Sequence, residues 1–139
     1  MTDVAVVDSV AFCRAHLAAL AAGTQIEAVP VRASVREDGD EPPFFVMAEG
    51  GELAHPTLPL LQPARVELTS WGLTEGQAVT NWRVARALLH RSGPVVIDGV
   101  GMFKAFDETG LQRPFQDPDT EWWRAFGVFD LHLVDRVLA

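Results

Sequence analysis

At 139 residues the chain has the length of one domain, too short for two independent cores. Its 48% hydrophobic and 22% charged content is that of a folded globular protein and argues against a disordered or low-complexity chain. Eleven basic residues against nineteen acidic ones leave a formal charge of −8, so the surface as a whole repels phosphate, which argues against nucleic acid as a gripped ligand.

The first predicted element is a helix. Val6, Val10, Cys13, Leu17 and Leu20 recur at spacings of four and three and form one apolar stripe. Thr2 or Asp3 is placed to cap its start, and Gly23 stands where a left-handed residue ends it. Gln25 to Val35 reads as extended, with Pro30 pointing to a sheet edge. The run Arg36-Glu37-Asp38-Gly39-Asp40-Glu41-Pro42-Pro43 is acidic and structure-breaking, hence a solvated loop. Phe44 to Ala48 is a short apolar run of the buried-strand type. Gly50 to Pro63 is punctuated by glycine and proline and reads as a long loop carrying Leu58, Leu60 and Leu61. Arg65 to Trp71 alternates polar and apolar residues, as a half-buried strand does.

Thr74-Glu75-Gly76-Gln77 is a capping box opening a second helix, whose buried stripe is Ala78, Trp82, Ala85, Leu88 and Leu89 and whose end is Gly93-Pro94. Val95 to Phe106 is expected as a strand weakened by glycine in its middle, with a bulge there. Asp107 to Thr120 reads as a polar loop, and Trp123 to Val134 as a closing strand with Ala125, Gly127, Phe129, Leu131 and Leu133 facing one way. Three strands fall between the two helices, so parallel crossovers cannot account for the sheet. The expected fold is α+β: a single domain over residues 1–139, with a mixed, mostly antiparallel sheet and both helices packed on one face.

Reactive chemistry is hard to find in this order of residues. His16, His55, His90 and His132 are scattered without zinc-helix spacing, which predicts no metal site, and His16 and His132 each read as a surface or half-buried side chain. Cys13, the only cysteine, lies in the apolar stripe and reads as a buried, inert thiol. Ser70 lacks the glycine of a nucleophile elbow. Asp98-Gly99-Val100-Gly101 suggests a phosphate loop, but the run continues through Met102 to Phe106 as a strand and opens no helix. Asp117, Asp119 and Glu121 lie in a proline-broken stretch and read as a solvated face. The expectation is a protein without catalytic residues, cofactor or metal.

Surface features carry more. Trp122 and Trp123 are adjacent, so in extended backbone they point to opposite sides and cannot share one core. One of them is then free to meet a partner or to lie flat over the sheet edge. Leu58, Leu60 and Leu61 sit between prolines in a chain with little core to receive them, and exposed apolar clusters of that kind mark interfaces. These five residues are the candidate protein interface. No run of about eighteen apolar residues is present to span a membrane. The N-terminus shows no signal-peptide plan, so synthesis and retention in cytoplasm are expected unless a particle carries the chain out.

The ordered set also resembles a family, the tail terminator or tail-to-head joining proteins of long-tailed bacteriophages, including small tail-completion proteins of phages infecting GC-rich actinobacteria. The similarity is carried by Arg14 to Leu20, by Pro43-Phe44-Phe45-Val46-Met47, by Ala64 to Gly72 running on to Ala85-Arg86-Ala87-Leu88-Leu89, and by Pro114 to Thr120 with Arg124 to Leu131. The resemblance implies an α+β virion subunit, assembled in the host cytoplasm and built into the tail neck. Such a subunit forms a hexameric ring of its own copies on the last ring of the major tail tube protein, stops polymerisation and presents a face to the head connector. DNA passes through the ring without specific binding, and Glu37, Asp38, Asp40 and Glu41 are the candidates for an acidic lumen or axial face. The alternatives are a head–tail stopper, a minor tail protein, or a small α+β enzyme or ligand-binding domain using the Asp98–Lys104 turn.

Overall fold

The computed structural model describes residues 9–33, 41–52, 61–91, 95–97 and 101–134. The elements are α1 (Ser9–Ala21), β1 (Val31–Arg32), β2 (Phe44–Glu52), β3 (Leu61–Gly72), α2 (Glu75–Arg91), β4 (Val95–Ile97), β5 (Gly101–Leu111), β6 (Phe115–Gln116) and β7 (Trp123–Val134). One sheet holds all the strands in the order β1-β2-β3-β7-β5-β4, with β6 also paired to β7. Only the β1–β2 pair is parallel; every other pairing is antiparallel. Both helices meet each other and the same side of the sheet, α2 across β3 and β7 and α1 beside it over β2. The domain is therefore α+β, as the order of strands and helices predicts.

The alternation of the central strands explains this one-sided covering. Phe45 and Met47 on β2, Val66 and Leu68 on β3, and Ala125 and Phe129 on β7 point to the helices. They are met by Phe12, Cys13 and Leu17 from α1 and by Ala78, Trp82, Ala85 and Leu89 from α2. Trp82 is the largest of these buried side chains. Its ring stacks on Phe129 with centroids 5.8 Å apart, and its indole N–H donates to the Leu68 carbonyl at 3.0 Å. Gly127 makes room for it: a Cβ there would collide with the Trp82 ring and stand 2.8 Å from the Gly110 carbonyl oxygen.

The capping box is present. Thr74 Oγ1 accepts from the Gln77 amide at 3.1 Å, and Gln77 Oε1 accepts from the Leu73 amide at 2.8 Å. Gly23 follows α1 with φ +78°, a left-handed conformation that suits glycine.

Five expectations are corrected. Residues 22–29 fold into turns rather than an extended strand, because Thr24 binds locally: its hydroxyl donates to the Ala21 carbonyl at 2.7 Å and its own carbonyl accepts from Glu27 at 3.1 Å. Those turns drive Ile26 into the helix-side core at 1% exposure, and only Val31–Arg32 remains as an edge strand, preceded by Pro30. The segment from Val95 is not one strand but two, since β4 and β5 pair antiparallel with Ile97 opposite Gly101. Gly101 opens β5 opposite Ile97, and the irregularity in β5 falls later, between Phe103 and Ala105.

The polar stretch after Phe106 continues as β5 to Leu111, with Asp107 opposite Asp130 and Glu108 opposite Phe129. Backbone pairing with the central strand outweighs the composition of those residues. The glycine-rich beginning of the predicted 50–63 loop is likewise strand, since β2 runs to Glu52 and β3 starts at Leu61. The fifth correction is His16, which is fully packed at 3% exposure against Phe12 rather than lying at the surface or half-buried.

Candidate functional site

The sheet face turned away from the helices is partly paved with aromatic residues. Register puts Phe44 opposite Trp71, Trp71 opposite Arg124, and Phe115 opposite Arg124 from the other side. Phe44, Val46 and Trp71 form a second buried cluster, against which half-buried Trp122 packs. Trp122 stands edge-on to both neighbours, 6.1 Å from Phe44 and 6.3 Å from Trp71, the preferred arrangement of ring quadrupoles.

Two guanidinium groups border the cluster. Arg32 lies 4.6 Å above the Phe44 ring. Arg124 lies 3.9 Å above Phe115 and within 6 Å of Trp71 and Phe126. The Trp71 indole nitrogen and the Arg124 Nε are buried without a hydrogen-bond acceptor. Phe115 itself is 39% exposed. The rings are thus walls that hold guanidinium groups in place, with Phe115 and half-buried Trp122 the aromatic parts that reach the surface.

The loop beside this face is built by one carboxylate. Asp117 accepts from the Thr120 hydroxyl at 2.8 Å and from the Asp119 amide at 3.3 Å, and the Trp122 amide donates to Thr120 Oγ1 at 3.2 Å. The Thr120 hydrogen bond is the main reason its carboxyl titrates below the usual range. Glu121 takes φ 62° so that the chain can turn from this loop into β7. Of the three acids in this proline-broken stretch, Asp117 holds a turn together, while Asp119 and Glu121 are exposed.

The tryptophan pair separates as extended backbone requires. Trp122 joins the helix-free face, and Trp123, also half-buried, packs on the helix-side core. Trp123 also borders an open hollow with Glu75, Arg113, Pro114, Phe115 and Gln116. Leu58 and Leu60 lie outside the described residues; Leu61 begins β3 opposite Val134. Glu37, Asp38 and Asp40 lie outside them too, and Glu41 is exposed just ahead of β2. Asp98 lies outside the described residues, while Lys104 falls in the β5 irregularity.

Cys13 is fully buried, and desolvation pushes its thiol up to about 12, so it carries little thiolate at neutral pH. Burial lowers the His16 pKa. Among the described residues no three of His, Cys, Asp and Glu gather as a metal site requires, and no helix is long and apolar enough to cross a membrane.

Sequence reasoning singled out Trp122 but not its neighbours Phe44, Trp71, Arg32, Phe115 and Arg124. The signal was the opposite parity of Phe44 and Trp71 to the core positions on their own strands. No known family model matches the chain, and none of the curated proteins matches it.

Proposed function

We propose that the chain is a structural subunit of a long-tailed bacteriophage, a tail terminator that caps the tail tube as a ring of its own copies and joins it to the head connector. The observation that carries this reading is the arginine-bordered aromatic face opposite the helices. A subunit whose helices already cover its main core places Phe44, Trp71 and Trp122 on its other side, with Phe115 exposed next to them. Aromatic and arginine side chains are the types enriched at protein–protein contacts, and Phe115 and half-buried Trp122 are the rings of this group that reach the surface.

In this reading Leu58, Leu60, Leu61, Trp122 and Trp123 contribute to contacts with neighbouring copies or with the tube. Glu37, Asp38, Asp40 and Glu41 supply an acidic lumen or axial face past which DNA slides. The excess of negative charge suits that passage, because a wall that repels phosphate does not retain the duplex.

Negative-stain microscopy of the protein mixed with tail tubes of the encoding phage tests the proposal. A terminator adds one ring of density to a single tube end and stops further growth. Binding to filled heads but not to tubes would instead identify a head–tail stopper, and binding to neither would overturn a neck role.

A further inference from the structure

Two buried N–H groups on the helix-free face lack an acceptor, and they belong to cross-strand neighbours. Trp71 is 6% exposed and stands opposite Arg124 in the β3–β7 pair, so both side chains lie on the same side of the sheet. The unpartnered atoms are Trp71 Nε1 and Arg124 Nε. The Arg124 guanidinium carbon lies 5.8 Å from the centre of the Trp71 ring and 3.9 Å from that of Phe115. A buried donor without a partner forfeits the hydrogen bond it makes to water in the unfolded chain, and here that loss falls on both members of one pair. Trp82, which is as deeply buried on the helix side, donates its N–H to the Leu68 carbonyl. The fold thus supplies an acceptor where a tryptophan serves the core alone.

The acids of this region do not fill the gap. Asp117, whose carboxyl the Thr120 hydrogen bond and, more weakly, the Arg124 charge hold below its usual range, spends both oxygens on its own turn. Glu67 shares the face, but four residues along β3 from Trp71 place it about 13 Å away. A guanidinium fixed against an aromatic ring, with an indole N–H beside it, suits an anionic acceptor with two oxygens. Exposed Phe115 and half-buried Trp122 border the pair and offer apolar contact to whatever flanks that anion. A chain segment provides such flanks and a bare ion does not. Neither orphan atom is open to solvent, so entry requires the Trp122 ring, edge-on to Trp71 at 6.3 Å, to turn aside.

We propose that the Trp71–Arg124 pair receives the carboxylate of an aspartate or glutamate flanked by apolar residues on a partner chain. The inference deepens the tail-terminator reading by naming the chemical group this face takes, and it rests on that reading only in treating the face as a contact surface.

Titration of the full chain with the peptide acetyl-Leu-Glu-Leu-amide tests it, followed by the indole N–H signals in nitrogen–proton correlation spectra. The Trp71 signal is expected to move downfield and that of Trp122 to shift with it, while Trp82 stays in place. The Leu-Gln-Leu analogue and acetate should bind at least about tenfold more weakly, and Arg124→Gln and Trp71→Phe should each weaken the glutamate peptide by about tenfold. Trp71→Phe keeps the ring and deletes only a donor without a partner, so its thermal melt should be unchanged or higher. A melt lowered as in Trp82→Phe would mean that the N–H is already satisfied, and would overturn the site. Equal binding of the glutamine peptide, or tighter binding of inorganic phosphate through the same two residues, overturns the carboxylate assignment, and acetate binding as tightly as the peptide overturns the chain segment. If Arg124→Gln fails to fold, Trp71→Phe carries the comparison.

Tail-tube capping separates the two proposals. Wild-type capping without any peptide binding overturns this site and leaves the terminator reading standing. Peptide binding with the expected variant pattern but no capping keeps the site and overturns the terminator reading.

Discussion

Replacing Trp82 by alanine removes the side chain on which the helix layer and the sheet converge. The ring is 1% exposed, stacks on Phe129 and donates its N–H to the Leu68 carbonyl. Deleting it leaves a cavity between α2 and the β3–β7 pair, at a cost of about 3–5 kcal/mol for a fully buried aromatic. At about 2.1 cal/mol/K per residue the unfolding entropy of this chain is about 0.29 kcal/mol/K, so the melting temperature should fall by about 10–17 °C.

Trp122→Ala removes a ring of the same size from the other face, where it is only half-buried, and should cost about 1–2 kcal/mol, or about 3–7 °C. Thermal melts followed by circular dichroism, with urea midpoints as a second measure, give the comparison. Trp82→Phe adds a control, keeping a stacked ring while losing the indole hydrogen bond, at about 1–2 kcal/mol. Equal losses from Trp82→Ala and Trp122→Ala would refute the argument that the fold rests on the helix-side core and that the opposite face is kept for contact. Tube capping lost in Trp122→Ala while the fold persists is the matching functional result.

Gly127→Ala should destabilise by about 1–3 kcal/mol, because the new methyl group meets the Trp82 ring and the Gly110 carbonyl; a urea midpoint unchanged from wild type would contradict the packing. Thr74→Ala should cost about 1 kcal/mol through loss of the α2 cap, read from the same titrations. The buried His16 has a pKa below its usual 6.5, so the unfolded chain takes up the proton first. Its contribution is complete above about pH 6.5 and declines as the pH falls through the lowered folded value, and His16→Gln should flatten that part of the stability profile. Cys13 should react with a thiol reagent only on unfolding, so rapid labelling of the native protein at neutral pH would disprove its burial.

The features legible in the chain are those fixed by local pattern. Thr74-x-x-Gln77 defined the start of α2 because capping needs only neighbouring atoms, and alternation from Arg65 to Trp71 and from Trp123 onward placed the two central strands. The extension of β5 through Asp107 and Glu108 was illegible because their strand state comes from pairing with β7, far along the sequence. Thr24 misled for the opposite reason: its short-range hydrogen bonds outweigh the extended preference of Ile26 and Val29.

The candidate face was half legible. Adjacent tryptophans announced that one ring must leave the main core. That Trp122 would find Phe44 and Trp71 depended on the register of β2, β3 and β7, which no short window contains.

The position of β7 has a consequence for biogenesis. Among the described elements it comes last in chain order, yet it lies at the sheet's centre and joins β3 on one side to β5 and β6 on the other. Until it arrives, β3 and β5 each present an unsatisfied ladder of amides and carbonyls, an invitation to pair with another chain. A nascent or prematurely terminated product would therefore be sticky along two open seams, and insertion of one late strand zips both.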